Sequence, residues 1–282
     1  MSASVFPASE PPFELMLISN LVEVAKHAID SGVDLLFVDL EIKGKQQRQA
    51  GRSTVISRHS MDDVASMREA LPPGRLLVRV NPWDSDSPLE VEEVLARGAD
   101  RIMLPMFRGP KELEALIRVV RGRCQVVGLL ETAEAVARVR DIAAVDGLSR
   151  VHIGLNDLHL AMRKRFMFEL LIDGTVDRVS EALRARSVPF GIGGLARVGE
   201  GLVPAESLAV EHVTQGSTAA ILSRTFQRGD TDDSVLRAGP RLAEEISRLR
   251  GALHHCRQMP ASELATFRAD MAEKIRRVVE SA

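Results

Sequence analysis

Short apolar runs alternate with amphipathic stretches along most of the chain. ELMLIS, LLFVDLE, RLLVRVN, RIMLPM, QVVGLLET, RVHIGLN and PFGIGG are each of buried-strand length and rich in branched apolar residues. EHVTQG reads, less clearly, as an eighth strand. Between the runs stand LVEVAKHAIDSG, SMDDVASMREAL and GPKELEALIRVVRG, with apolar residues at helical spacing, Ser, Asn or Pro near their starts and Gly near several ends. Regular alternation of strand and helix marks a parallel sheet, because parallel neighbours need a crossover between them. Eight such units in about 220 residues fit a closed barrel better than an open sheet.

The expected fold is therefore α/β, a (β/α)8 TIM barrel with extra C-terminal helices. A tail is assigned to 1–13, the barrel to 14–230, and the helices to 231–282, at about 232–255 and 262–280. No glycine- or proline-rich linker divides the chain. The last helix carries Leu264, Phe267, Met271, Ile275 and Val279 as a stripe at helical spacing. Such a stripe suits packing on the chain's own barrel or on a neighbouring subunit, and the pattern alone serves both.

Composition narrows the chemistry. With 282 residues and 45% hydrophobic content, the chain can bury a large core. Its 37 basic and 39 acidic residues give a formal charge of −2, which argues against a nucleic-acid surface built on bulk positive charge and leaves small anionic substrates open. Cys124 and Cys256 form no CxxC pair and no disulfide framework. The segment MSASVFPASEPPF lacks the basic and apolar regions of an export signal, and no segment approaches the roughly 18 apolar residues of a membrane span. A soluble cytoplasmic protein is the expectation.

In barrels of this kind the chemistry sits where strands end and the following loops begin. Those positions hold Asp39 and Glu41 in VDLE, Arg79 and Asn81 in VRVN, Glu131 in LLET, and Asn156 and Asp157 in IGLND. Glu131 stands where an apolar strand meets a helix in VVGLLETAEAV, and a carboxylate there needs a partner. Asp157 follows one β/α unit later. Adjacent strands lie ~4.8 Å apart, so the two carboxylates approach and repel unless a proton or a cation lies between them. Oxygen donors without a His/Cys cluster suit Mg²⁺ or Mn²⁺. Glu131 and Asp157 are expected to share such an ion.

FVDLE, VRVN, ADRIMLPM, GLLET and VDGLSRVHIGLNDL, in this order, resemble the metal-dependent aldolase and citrate lyase β-subunit family over roughly residues 14–225. The resemblance implies that Glu131 and Asp157 bind Mg²⁺ or Mn²⁺. It implies that Arg79 binds the substrate's carboxylate and carbonyl oxygens, that Glu41 orders water on the metal, and that the protein is a homo-oligomer, trimer or hexamer. Carbon–carbon cleavage beside a carbonyl passes through an enolate, whose negative oxygen a Lewis-acidic metal and a fixed guanidinium both stabilise. Amides around Gly154, Leu155 and Asn156 are expected to hold the far carboxylate oxygen, and Asn81 to line the substrate.

One departure bears on mechanism. Hydroxy-keto-acid aldolases of this family commonly carry a histidine base directly after the glutamate of DLE, and citrate-lyase-like members an acidic residue, whereas Ile42 follows Glu41 here. His59 is the nearest replacement, in a loop that also holds Lys43, Lys45, Arg48 and Arg52. Those charges fit a solvated loop, or a lid over an anionic or phosphorylated substrate. The readings are thus a lyase or aldolase of 4-hydroxy-2-oxo acid type, a malyl- or citramalyl-type acyl-CoA lyase, or a non-catalytic barrel that binds metal and a small oxyacid. Other signals are discounted. GIGGLA, beginning at Gly191, falls late in the chain for a dinucleotide loop and reads as a tight turn. His254, His255 and Cys256 are helix neighbours that do not converge. His152 reads as structural, His159 as a residue near Asp157, and Trp83 as packing or a pocket wall.

Overall fold

The computed structural model describes residues 12–44, 59–226 and 240–281. Lys45, Arg48 and Arg52 lie outside the described residues, as does most of the N-terminal tail. The strands are β1 (Glu14–Ile18), β2 (Leu35–Asp39), β3 (Leu76–Arg79), β4 (Arg101–Leu104), β5 (Gln125–Leu130), β6 (Leu148–Ile153), β7 (Phe190–Ile192), β8 (Gly194–Leu195) and β9 (Ala219–Leu222). All pair in parallel in the order β7-β6-β5-β4-β3-β2-β1-β9-β8. β7 and β8 are two pieces of one strand, parted at Gly193, whose φ of 43° suits glycine. Gly193 donates to the Ile153 carbonyl at 2.8 Å and accepts from the Ile221 amide at 3.3 Å, so the ring closes through it. The architecture is a TIM-like barrel with surrounding helices and two further helices at the C-terminal end. The tight turn expected of GIGGLA is this break.

The expected eighth strand is corrected. EHVTQ ends the helix Ala205–Gln215, Gly216 caps it in the left-handed region, and the last strand is AAIL, a few residues on. Leu208, Ala209, Val210, Glu211, His212, Val213 and Gln215 are all buried, so this helix shows little of the polar face that marks helices in sequence. AAIL begins with two alanines, which carry weak strand propensity.

Side-chain alternation sorts the apolar residues into two groups. Met16, Leu35, Phe37, Leu77, Met103, Val127, Leu129 and Ala219 cluster together as the barrel interior. Their neighbours, such as Leu15, Leu36, Val78, Ile102 and Leu130, join the core between strands and helices. Extending the inward rows toward the strand starts brings in Glu14, Arg101 and Arg150. Glu14 takes both forks of Arg101 at 2.8 Å and meets Arg150 at 3.1 Å, which closes that end with an ionic plug. Extending them toward the strand ends brings in Asp39, Arg79 and Glu131, at the mouth.

The C-terminal helices span Pro240–Gln258 and Ala261–Ser281. The second buries Leu264, Met271 and Ile275 within its own chain and leaves Phe267 of the same stripe 40% exposed. Arg268 pins it, bonding Glu211 at 2.8 and 3.0 Å and Asp177 at 3.0 Å. Glu211 is 1% exposed and would keep only the Gln215 Nε2 donor at 2.7 Å among the described residues, so Arg268→Ala underpairs a buried carboxylate; a loss on the order of 1–3 kcal/mol in urea unfolding is expected. An unchanged midpoint and slope would show the latch to be energetically idle. Among the described residues, no helix is long and apolar enough to cross a membrane.

Candidate active site

Asp39 and Arg79 end adjacent strands in register. Arg79 donates from Nε to Asp39 Oδ1 and from Nη2 to Asp39 Oδ2, both at 2.8 Å, and Glu41 Oε2 lies 3.4 Å from Nε. Its Nη1 hydrogen-bonds to none of the described residues, while the guanidinium rests over the Phe37 ring at 5.4 Å. Burial works against the charge on Arg79, but Asp39, Glu41 and Glu131 outweigh it and hold the group firmly cationic. The pairing reading of Arg79 is the one this geometry shows. Arg79 is paired to Asp39, and that pairing fixes a fork whose remaining edge faces away from Asp39.

Glu131 follows β5 directly. Thr132 caps the next helix through the Ala135 amide at 3.1 Å and donates from Oγ1 to the Phe107 carbonyl at 2.8 Å, tying this corner to the loop after β4. Glu131 Oε1 accepts from the Met106 amide in that loop at 3.1 Å. Burial pushes the Glu131 carboxyl up to about 8; Arg79 opposes the rise, and Asp157 and Glu41 add to it. Asp157, in the first turn of the helix Leu155–Ala161, has a buried Oδ1 that hydrogen-bonds to none of the described residues.

Among the described residues, Asp39 and Glu41 pair with Arg79, while Asp157 and Glu41 act on Glu131 as like charges. The repulsion between Glu131 and Asp157, and an Asp157 oxygen with no partner among the described residues, are what a divalent cation would relieve. The described residues contain no group of three or more His, Cys, Asp or Glu side chains able to hold a metal. Two carboxylates nevertheless fit Mg²⁺, which keeps several water or substrate oxygens in its octahedron.

Other expected residues take different places. His59 Nδ1 accepts the Asp39 amide at 2.9 Å. The ring stands just before Ser60, whose capping box with Asp63 starts the helix Met61–Ala70. Accepting at Nδ1 fixes the Nε2–H tautomer and engages that nitrogen's lone pair with the end of β2. Asn81 is buried, its Oδ1 accepting the Ile42 and Lys43 amides at 2.9 Å each and its Nδ2 donating to Glu90 at 2.8 Å. It clamps the root of the loop after β2 rather than offering that oxygen to a ligand. Lys43 pairs with Asp84 at 2.6 Å, which takes one charge out of the basic loop. The Gly154 amide bonds the Leu130 carbonyl at 2.9 Å, so of the three amides expected to hold a carboxylate, only those of Leu155 and Asn156 head the helix.

The discounted signals are elsewhere. His152 lies in the interior, with Nε2 on the Gly193 carbonyl at 3.0 Å, and burial lowers its pKa to about 4. His159 bonds the Leu155 carbonyl one helical turn back. His254 and His255 are exposed whereas Cys256 is buried, and Trp83 packs on the outer core. Sequence reasoning undervalued Asp39, whose signal was its inward register beside Arg79. It missed the Met106 amide, for which no residue type is diagnostic.

In parallel barrels of this kind the chemistry is carried at the strand-end face, where these carboxylates and Arg79 stand. The family model described as HpcH/HpaI aldolase/citrate lyase matches residues 14–185, and the chain belongs to that family of lyases. Among curated proteins, none matches the sequence. Among solved structures, it is similar to an HpcH/HpaI aldolase/citrate lyase family protein from Burkholderia cenocepacia J2315, at 20% identity and TM-score 0.58 over 84% of this chain and 95% of that one. An HpcH/HpaI aldolase from Desulfitobacterium hafniense DCB-2 aligns at 14% identity and TM-score 0.57, over 89% and 95%. The CitE protein from Mycobacterium tuberculosis, in complex with magnesium and acetate, aligns at 16% identity and TM-score 0.58, over 94% and 97%.

Proposed function

We propose that this chain is a divalent-metal-dependent aldehyde-lyase acting on 4-hydroxy-2-oxo acids through a pyruvate enolate. The observation that carries the reading is Arg79, gripped by Asp39 through Nε and Nη2 with Nη1 unclaimed by the described residues, in the electrostatic company of Glu131. The magnesium and acetate of the CitE structure support the same pairing of hard cation and small carboxylate. Glu131 and Asp157 would hold Mg²⁺ or Mn²⁺, which when bound supplies Lewis acidity toward the 2-oxo acid.

The remaining roles fall to the chain itself. Arg79 binds the oxygen on which charge develops, and its preorganised fork avoids reorientation during the reaction. As the C3–C4 bond breaks, its electrons pass to the enolate oxygen and the 4-hydroxyl proton must leave. With Ile42 unable to accept a proton and the His59 lone pair engaged, Glu41 is the carboxylate assigned to take it. Leu155 and Asn156 amides face the far carboxylate oxygen. The acyl-CoA reading loses Lys43 as a phosphate partner because Asp84 and Asp86 hold it.

Pyruvate alone tests the proposal, since the enolate suffices for exchange. With Mg²⁺ or Mn²⁺, the protein should exchange pyruvate methyl protons into D₂O, followed by NMR, and should join pyruvate to members of an aldehyde panel. Binding of metal and pyruvate without exchange would refute the aldolase reading. Cleavage of a malyl-type thioester would then favour the CoA lyase, and its absence the binding barrel.

A further inference from the structure

Two residues around Glu131 invert the usual relation between backbone and side chain. Gly154 has φ −83° and ψ 84°, so its φ does not call for glycine. Met106 has φ 56°, in the left-handed region that favours glycine, yet it carries a long side chain. The two sit against the two oxygens of one carboxylate. The Met106 amide donates to Oε1 at 3.1 Å, and a Cβ on Gly154 would lie 2.9 Å from Oε2, 3.1 Å from Leu129 Cδ1 and 3.2 Å from Glu131 Cβ.

We propose that Gly154 and Met106 are positioning residues that hold the Glu131 carboxylate in one orientation. The inference rests on the reading of Glu131 as a metal ligand and adds what aims it. Gly154 is glycine because the space a methyl group needs is filled by the Glu131 side chain, its carboxylate oxygen nearest, with Leu129 Cδ1 beside it. Met106 is left-handed with its amide directed at the other oxygen. Outer partners that fix a ligand's orientation typically govern metal affinity about 10–100-fold.

In Gly154→Ala the nearest obstructing atom is the end of a flexible side chain, and the bond from the residue 154 amide to the Leu130 carbonyl remains available. The chain is therefore expected to fold while the carboxylate is pushed off its position. Calorimetric Mn²⁺ titration should show affinity lowered about tenfold or more, with the melting temperature nearly unchanged. Glu131→Asp shortens the side chain and makes room for the methyl group, so Gly154→Ala should cost less in that background; such non-additivity is the mark of contact. Wild-type affinity in Gly154→Ala, or an equal loss in both backgrounds, would overturn the proposal.

Should Gly154→Ala not fold, Met106 gives an independent test. Valine resists the left-handed region and asparagine tolerates it, so Met106→Val should weaken Mn²⁺ binding more than Met106→Asn. Equal effects would overturn the proposal. A wild type that binds no Mn²⁺ would bring down the metal reading itself and this inference with it, whereas the variant comparisons bear on positioning alone.

Discussion

Arg79→Lys should lower metal-dependent exchange of pyruvate methyl protons by about 10²–10³ while Mg²⁺ affinity changes little. Lysine keeps a positive charge but has one nitrogen in place of a planar fork. Arg79 spans both Asp39 oxygens at 2.8 Å and still has Nη1 to offer. An ammonium at this position would be drawn to Asp39 and Glu41 and could not keep both contacts while reaching a substrate oxygen. The loss should fall on turnover rather than on metal binding, because Arg79 contributes no ligand. NMR exchange rates at saturating pyruvate, with calorimetric metal titration alongside, separate the two. A lysine variant that exchanges at the wild-type rate would remove Arg79 from the chemistry.

The same region shows what a sequence can and cannot convey. Asp39, Arg79 and Glu131 were legible because period-2 alternation continues each inward row to the strand end: Phe37 to Asp39, Leu77 to Arg79, Leu129 to Glu131. Seven strands were legible as apolar runs. The last was not, since AAIL looks like helix and the buried helix before it has no polar stripe. His59 shows a different limit. Its residue type suggests a base, while its Nδ1 accepts a backbone amide, and backbone amides look alike in every sequence. Asn81 and Met106 are similar cases, in which the functional contact runs through main-chain atoms of the loops after β2 and β4. Composition and spacing report side chains, so a site finished by backbone groups is only half visible from them.

Metal binding should be coupled to a proton. The Glu131 carboxyl is raised from 4.5 to about 8, chiefly by burial, with Asp157 and Glu41 adding to the rise, so without a cation it is mostly protonated at neutral pH. A cation binds the ionised form and must displace that proton. Apparent Mg²⁺ or Mn²⁺ affinity should therefore rise by about tenfold per pH unit below the Glu131 pKa and level off above it. The sign for folding follows from the same shift. Between 4.5 and about 8 the folded metal-free protein holds a proton that the unfolded chain has lost. That contribution to stability is fully present below the lower value and fades as pH climbs through the higher one. Saturating metal should offset the fade, because it replaces the proton with a cation. Calorimetry in two buffers of different ionisation enthalpy reads the released proton directly, and Glu131→Ala or Asp157→Ala should abolish tight binding while leaving the barrel folded. Affinity that stays flat from mildly acidic to mildly basic pH, with no proton released, would show that Glu131 does not ligate the metal through a carboxyl raised in this way.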